Sequence, residues 1–288
     1  MNRSQHTHLN VAALSHAGMT GKNNEDRYAV SSYTLEGKKP VLFAVISDGI
    51  GGHRAGEVAA ELAVNYIVDS VSQSNGRDPL QIMESAIHSA SEAIASRSAS
   101  QEEQQGMGAT CACVWVEGLR LFIAYVGDSR IYLVRDGSIQ RLTVDHTWVQ
   151  EAVDRGIITV QQAHDHPNVH VIRRHLGSVE LPDVDTRLRL NGDEDTKQAN
   201  KNQGARLKAG DTLLICTDGL TDLVWDDEIL RLILTRNTLK SAAEDLVAQA
   251  NERGGHDNIT VVLIGIPKEG AANLHQKKKG FFSNLLGE

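Results

Sequence analysis

The sequence predicts an α+β fold in a single domain, on three observations. The segments 54–72 and 79–98 repeat apolar residues at helical spacing and predict a helical layer. Of the 288 residues, 41% are apolar, which is enough to bury a sizeable core. After these two helical segments, residues 108–142 contain short apolar runs that predict a meander of antiparallel hairpins. The dipeptides that join these runs are Glu117-Gly118, Gly127-Asp128 and Asp136-Gly137.

The remaining elements follow from the same patterns along the chain. Strands are predicted at 11–18, 26–34 and 41–47, where short runs are apolar or β-branched. Pro79 fits the first turn of the second helix, because that position needs no backbone N–H. The last third adds four elements: a strand at 211–217, helices near 226–234 and 238–252, and a strand at 259–266. No internal repeat or linker divides the chain.

Three segments lack a clear period. Residues 146–177 are rich in His, and only two short helical pieces are predicted there. Residues 191–204, NGDEDTKQANKNQG, predict a loop insertion. Beyond Pro267 two interpretations stay open: a solvated tail, or a short contact element with a basic and an apolar part. The residues of that element are Lys277, Lys278, Lys279, Phe281, Phe282, Leu285 and Leu286.

Composition excludes several classes of protein. The net charge of −8 argues against sequence-independent binding of nucleic acid, which depends on Lys and Arg neutralising phosphates. The three Cys residues (Cys111, Cys113, Cys216) lie in apolar stretches, so a reducing compartment without disulfides is expected. The N-terminus lacks the apolar core of a signal peptide, and no run approaches ~18 apolar residues. We therefore expect a cytoplasmic protein without a stable membrane anchor.

Four Asp residues stand where strand-like apolar runs end or begin. They are Asp48, Asp128, Asp218 and Asp257. Asp-Gly is also a common hairpin dipeptide, so a turn is the alternative for each. Asp136 lies between two alternating strands and is assigned to a plain turn. Asp48 and Asp218 each end an uninterrupted apolar run and lead into a helical segment, which favours a chemical role, whereas Asp128 fits a turn equally well.

Glu25 and Asp26, at the start of a strand, bring the number of boundary carboxylates to six. So many anions in one place would repel one another unless cations neutralised them. The sequence has no CxxC pair and no HExxH, and an all-oxygen ligand set suits Mg²⁺ or Mn²⁺ better than Zn²⁺. A water shared by two such cations is acidified into a nucleophile at neutral pH. The chain is therefore predicted to be a metal-dependent hydrolase.

Five sets of motifs, in order, resemble the bacterial form of the metal-dependent protein phosphatase family, protein phosphatase 2C type. They are NNEDRYAV (23–30), SDGIGGHRAGEVA (47–59), GATC with YVGDSR (108–111 and 125–130), TDGLTD (217–222) and GGHDNITVVLI (254–264). The resemblance implies a four-layer α/β/β/α sandwich of two antiparallel sheets flanked by helix pairs. It also implies a phosphatase domain at 9–266, with a flap at 146–177, an N-terminal extension at 1–8 and a tail at 267–288.

The resemblance further implies a role for each boundary carboxylate. Asp48 would bridge two metal ions, with the Gly49 carbonyl on the first ion and Asp218 and Asp257 on the second. Glu25 and Asp26 would hold metal-bound waters or ligate directly, and Asp128 with Asp218 would form a third, weaker site. The cofactor would be Mn²⁺ or Mg²⁺, as two ions with a possible third. A metal-activated hydroxide would attack phosphoserine or phosphothreonine of a protein in a single in-line step.

The sequence departs from the family at two positions. Gly21 stands where many members have an Arg that clamps the phosphate, and we hypothesise that Lys22 or another basic residue takes this role. Ile50 stands where many eukaryotic members have a His, so the general acid is not identified; nearby His53 is assigned to the surface or a helix start. The flap histidines (His146, His164, His166, His170, His175) fit no zinc pattern.

Two other functions stay open at this point, a pseudophosphatase that only binds phosphoproteins and a phosphatase of small phosphoesters. A cognate Ser/Thr kinase is a plausible partner by resemblance, whereas the sequence itself names neither kinase nor substrate.

Overall fold

The computed structural model describes residues 1–51, 55–164, 166–192 and 194–268. Two antiparallel sheets pack face to face, and helices cover the outer face of each sheet. The predicted α+β class and the four-layer sandwich are confirmed. Within the described ranges, no helix combines the length and the apolar character that a membrane crossing requires.

The strands, in chain order, are β1 (Asn2–Ser4), β2 (Asn10–His16), β3 (Arg27–Thr34), β4 (Pro40–Ser47), β5 (Gly49–Ile50), β6 (Gly108–Ala109), β7 (Cys111–Glu117), β8 (Arg120–Val126), β9 (Arg130–Arg135), β10 (Ser138–Arg141), β11 (Ala205–Arg206), β12 (Thr212–Cys216) and β13 (Ile259–Gly265). The helices are α1 (Ala55–Gln73), α2 (Pro79–Ser100), α3 (Trp148–Asp154), α4 (Val160–His164), α5 (Thr196–Lys201), α6 (Asp218–Thr221), α7 (Asp226–Thr235) and α8 (Leu239–Glu252).

The first sheet has the strand order β1-β3-β4-β7-β8-β11, and the second has β10-β9-β12-β13-β2. A short pair, β5 and β6, lies beside them. Strand β4 is apolar from Pro40 to Ile46 because one face meets the helices α1 and α2 while the other meets the second sheet. Phe43 and Trp115 pack edge to face at 6.2 Å on the helical side. Leu42 and Ile46 face the second sheet on the other side.

Most predicted strands and helices are confirmed, with ends within two residues of those expected. Helix α2 begins where Pro79 suggested, and Asp78 caps it by accepting from the Gln81 N–H. The turn at Asp136-Gly137 is also confirmed. Both residues have positive φ, 51° and 77°, and Arg135 pairs with Ser138 across a two-residue loop.

The prediction of one continuous meander is wrong. Strands β7 and β8 form a hairpin in the first sheet, whereas β9 and β10 form a hairpin in the second. The chain crosses between the sheets at Gly127 and Asp128. Gly127 has φ 107°, and a Cβ there would lie 2.6 Å from the Thr110 side chain. The crossing therefore requires glycine for a tight tertiary contact and not for a hairpin.

Two segments that were expected to be peripheral belong to the fold. Strand β1 pairs with β3, and the Met1 ammonium donates to the Ser74 carbonyl at 2.6 Å, so the first four residues pack against the first sheet and the end of α1. The polar segment 191–204 is not all loop, because it contains α5, which Asp195 caps and whose Ala199 is buried. The predicted tail contacts at 277–286 and His53 lie outside the described residues.

Candidate metal centre

The predicted carboxylates meet at one end of the sandwich because strands of both sheets end there. Asp48 follows β4, and Asp26 precedes β3, whose Arg27 pairs with Ser47 of β4. Asp218 begins α6 directly after Thr217, and Asp257 precedes β13, which lies beside β12. Two sheets therefore bring acids from four distant parts of the chain to one place.

The pKa of Asp48 shows that the other carboxylates lie close to it. Its pKa is raised well above the usual value, first by burial and then by four neighbouring carboxylates. These neighbours, in order of their effect, are Asp26, Asp218, Asp128 and Asp257. The five Asp residues singled out in the sequence therefore form one cluster.

The other members of the cluster show the same excess of negative charge. Burial raises the pKa of Asp26 to about 7, although the nearby Thr260 and Thr217 hydroxyls oppose the rise. Burial also raises the pKa of Asp128, Asp218 and Glu25, and neighbouring carboxylates add to each rise. The nearby Arg130 cannot neutralise them fully, because it forms a two-pronged ion pair with Asp145 at 2.7–3.1 Å. Among the described residues, the site therefore carries an excess of negative charge.

Two buried carboxylate oxygens in the cluster, Asp26 Oδ1 and Asp218 Oδ1, have no hydrogen-bond partner among the residues described. Buried polar atoms are nearly always paired, so unpaired anionic oxygens facing other anions indicate a missing cation or water. The atoms that these carboxylates offer to a metal are all oxygens, which are the ligands that Mg²⁺ and Mn²⁺ prefer. The residues therefore fit a divalent cation centre.

Backbone contacts fix the position of Asp48. Its N–H donates to the Thr110 hydroxyl at 3.0 Å, and the Thr110 N–H donates to the Asp48 carbonyl at 2.8 Å. The Thr110 hydroxyl also shares a hydrogen bond with Ser129 at 2.8 Å. Ser129 is only 2% exposed, so the Ser129 hydroxyl helps to hold Thr110 and is not available to attack a substrate.

Glycines allow the ligand loops to approach closely. A Cβ on Gly49 would lie 2.0 Å from the Gly56 carbonyl oxygen and 2.9 Å from that of Glu25. A Cβ on Gly56 would lie 2.7 Å from Glu25 Oε2. The Gly49 backbone and the Glu25 carboxylate are thus packed against the start of α1, and no larger residue fits between them.

Asn258, which was not predicted from the sequence as a site residue, holds the loop of Glu25 in place. Its side-chain oxygen accepts from the Glu25 N–H at 2.7 Å, and its amide group donates to the Ala17 and Asn23 carbonyls, both at 3.1 Å. Its own N–H donates to Asp257 at 2.8 Å. Asn258 therefore ties two predicted ligands together.

Asp222 and His170 were also missed. His170 Nδ1 lies 3.5 Å from Asp222 Oδ2, and these two side chains and Asp218 each offer a ligand atom within 4.8 Å of the others. Burial and Asp218 raise the pKa of Asp222 to about 7. The signal was the spacing of TDGLTD, because residues four apart on a helix share a face. His170 thus differs from the expectation for the flap histidines.

Four other flap side chains form contacts within the flap or with neighbouring segments. His146 stacks on Tyr125 at 5.3 Å and bonds Asp185 at 3.1 Å, and His166 stacks on Trp148 at 4.7 Å. Arg173 pairs with Glu151 at 3.7 Å, while Arg174 donates to the Asp183 carbonyl at 2.9 Å. These contacts hold the flap together.

The surroundings of the cluster are open on one side. A cavity of about 400 Å³ beside Asp257 is lined by His170, Asp222, Leu223 and His256 among others. Lys22 is exposed and close enough to Glu25 to oppose the rise of its pKa. Among the described residues other than its chain neighbours, nothing lies within 4 Å of where a Gly21 Cβ would be, so the space directly beside Gly21 is open.

Comparisons with known proteins agree with this geometry. Residues 15–260 match the family described as protein phosphatase 2C. The chain is 34% identical over 258 residues to the serine/threonine protein phosphatase PstP of Mycobacterium tuberculosis, covering 90% of this chain and 45% of that protein. The chain thus spans less than half the length of that relative.

Two further matches span nearly the whole of the other protein. The serine/threonine phosphatase stp of Listeria monocytogenes is 32% identical over 251 residues, which are 86% of this chain and 92% of that one. A crystal structure of the PstP catalytic domain in complex with two manganese ions superposes with a TM-score of 0.73 and 32% identity, covering 90% and 99% of the two chains.

Proposed function

This chain belongs to the protein phosphatase 2C family, and we propose that it removes phosphate from Ser and Thr residues of proteins with Mn²⁺ or Mg²⁺ as cofactor. The observation that carries the proposal is the cluster of five Asp residues with unpaired buried oxygens on Asp26 and Asp218. Its relatives named above are serine/threonine phosphatases.

We assign the ligands as the resemblance implies. Asp48 would bridge two cations, the Gly49 carbonyl would join the first, and Asp218 and Asp257 would hold the second. Glu25 and Asp26 would hold waters or ligate, and a third ion would lie by Asp218 with Asp128, where Asp222 and His170 are close enough to contribute. When bound, the cations supply positive charge for the phosphoryl oxygens and make a water nucleophilic at neutral pH.

The chain's own residues prepare this site. Thr110 and Asn258 fix the loops of Asp48 and Glu25, so that the acids are oriented before substrate arrives. Ser129 is buried in that support, which favours direct attack by water without a phosphoenzyme. Ile50 offers no proton to the leaving group, so the proton must come from solvent or another side chain.

Removal of the metal gives the principal test. We expect release of inorganic phosphate from a phosphothreonine peptide in Mn²⁺, loss of this activity with excess chelator, and recovery when Mn²⁺ is returned. Turnover that survives chelation would refute the metal mechanism. Bound Mn²⁺ without turnover would support the pseudophosphatase, and faster hydrolysis of small phosphoesters than of phosphopeptides would support the metabolite phosphatase.

Lys22 is proposed to bind the substrate phosphate, because it lies near Glu25 and the space beside Gly21 is open. As a single point charge it would bind more weakly than a bidentate Arg. We expect Lys22→Ala to raise KM for a phosphopeptide about fivefold, the loss of one exposed charge–phosphate contact, with little change in kcat. Lys38→Ala, on the turn before β4, serves as the charge control. An unchanged KM would remove Lys22 from the site.

The finer biological assignments are proposals as well. We propose that the substrates are cytoplasmic phosphoproteins and that a Ser/Thr kinase opposes this enzyme. The three free cysteines are all buried, which agrees with a reducing compartment. Detection of the chain in a membrane or extracellular fraction would contradict the location.

A further inference from the structure

Thr217 lies between the second sheet and the carboxylate of Asp26. It is completely buried, and its hydroxyl makes two hydrogen bonds. The Thr260 N–H donates to Thr217 Oγ1 at 3.0 Å, and Thr217 Oγ1 donates to Asp26 Oδ2 at 2.8 Å. The backbone N–H can only donate and the Asp26 carboxylate can only accept, so the hydroxyl proton of Thr217 is directed at Asp26. The direction of this hydrogen bond is therefore fixed by the fold.

Thr260 is itself held in place from two sides. The Thr217 N–H donates to the Thr260 carbonyl at 3.1 Å, which closes a reciprocal pair between β12 and β13. The Thr260 hydroxyl shares a hydrogen bond with Ser15 at 2.8 Å, and Ser15 accepts from the Asn24 side-chain amide at 2.8 Å. Asn24 Oδ1 in turn accepts from the Asp26 N–H at 3.1 Å. The chain of hydrogen bonds begins and ends at the Asp26 loop.

This chain determines which oxygen of Asp26 is used. Oδ2 is occupied by Thr217, whereas Oδ1 has no partner among the residues described. Asp218 and Asp257 are close enough to Asp26 to raise its pKa, so the carboxylate lies within the cluster. Thr217 also directly precedes Asp218. One residue therefore fixes a carboxylate of the first sheet and a carboxylate of the second relative to each other.

We propose that Thr217 is a positioning residue for the cation centre, whose hydroxyl orients Asp26 so that Oδ1 is presented to a divalent cation or to its bound water. The inference rests on the proposed cation site. It predicts that the Thr217 hydroxyl matters for cation affinity beyond its contribution to packing, because a partner that orients a metal ligand commonly affects affinity by about 10–100-fold.

The test compares Thr217→Val, which keeps the shape and removes the hydroxyl, with Thr217→Ser, which keeps the hydroxyl. Calorimetric titration of the chelator-treated proteins with Mn²⁺ measures affinity without any substrate. We expect Thr217→Val to weaken the Kd for Mn²⁺ at least about tenfold and Thr217→Ser to stay within about threefold of the wild type. Thr143→Val is the matched control, since it removes a buried hydroxyl that accepts from the Ile131 N–H.

The inference is overturned if folded Thr217→Val binds Mn²⁺ like the wild type, if Thr217→Ser is as weak as Thr217→Val, or if Thr143→Val loses as much affinity. Circular dichroism of each metal-free variant verifies folding. Should Thr217→Val not fold, Thr217→Ala removes the same hydroxyl without adding a methyl group in its place, and a wild-type Kd there would overturn the inference. A wild-type protein that binds no Mn²⁺ would instead refute the proposed function.

Discussion

Replacing Asp218 with Asn is expected to lower kcat on a phosphothreonine peptide at least about a thousandfold at saturating Mn²⁺. The amide keeps the shape of the side chain but removes the charge from the residue that is proposed to bind the second cation. The metal-free protein should remain folded, because one member of a repelling cluster has been neutralised and the pKa of Asp218 is already raised by burial and by Asp257. Kinetics and a chelator-treated thermal melt measure the two effects separately.

Asp136→Asn is the matched control for this variant. Asp136 is also followed by Gly, but it lies in the hairpin turn between β9 and β10 with φ 51°, a conformation that Asn adopts readily. Its activity should stay within about twofold of the wild type, as for a surface change that touches no functional group. If Asp218→Asn retains more than a tenth of the activity, the assignment of Asp218 as a required ligand is wrong.

Replacing Gly49 with Ala is expected to cost about 3 kcal/mol in the free energy of unfolding and about a hundredfold in kcat. The added methyl group would meet the Gly56 carbonyl oxygen at 2.0 Å, and both neighbours are backbone atoms that cannot rotate away. The strand end must then move, and Asp48 moves with it. Urea unfolding and Mn²⁺-dependent turnover measure the two losses.

Gly192→Ala provides the comparison for Gly49→Ala, since nothing lies within 4 Å of the added methyl group. Gly192 is exposed, so the Gly192→Ala variant should have the stability and activity of the wild type. Wild-type turnover in Gly49→Ala would mean that the close approach between the Asp48 loop and α1 is not needed for the site.

Much of the fold was predictable because its elements have long, regular patterns. The run before Asp48 is apolar throughout and leads to a helix, and this separated Asp48 correctly from the hairpin Asp136. The same reasoning failed at Gly127-Asp128, which has the composition of a hairpin turn. What distinguishes it is the contact between Gly127 and Thr110, and a contact between separate strands leaves no local signal. Helix α5 was missed because six residues are too few to establish a period.

The acidic residues of the site were predictable from local patterns, because several of them directly follow apolar runs and together they form a group of carboxylates at element boundaries. The residues that hold these acids in place could not be predicted from the sequence. Thr217 reaches Asp26 across 191 residues of sequence, and Asn258 reaches Glu25 across 233. Thr and Asn are common at strand ends, so neither draws notice without the fold. His170 was assigned away from metal because its neighbours in sequence form no ligand pattern, whereas its neighbours in space are Asp218 and Asp222.

The division of the carboxylates between the two sheets has a consequence for the stability of the whole molecule. Asp26 and Asp48 flank strands of the first sheet, while Asp218 and Asp257 flank strands of the second. At the opposite end of the sandwich, apolar side chains such as Leu9, Leu207 and Ile266 pack between the sheets, and His8 Nε2 lies 2.9 Å from the Gly118 carbonyl oxygen. Cations held between acids of the two sheets would also hold the sheets together, because the free energy of binding them would be lost on unfolding. The supply of manganese around the protein would then affect how firmly the two sheets are held together, as well as the turnover of substrate.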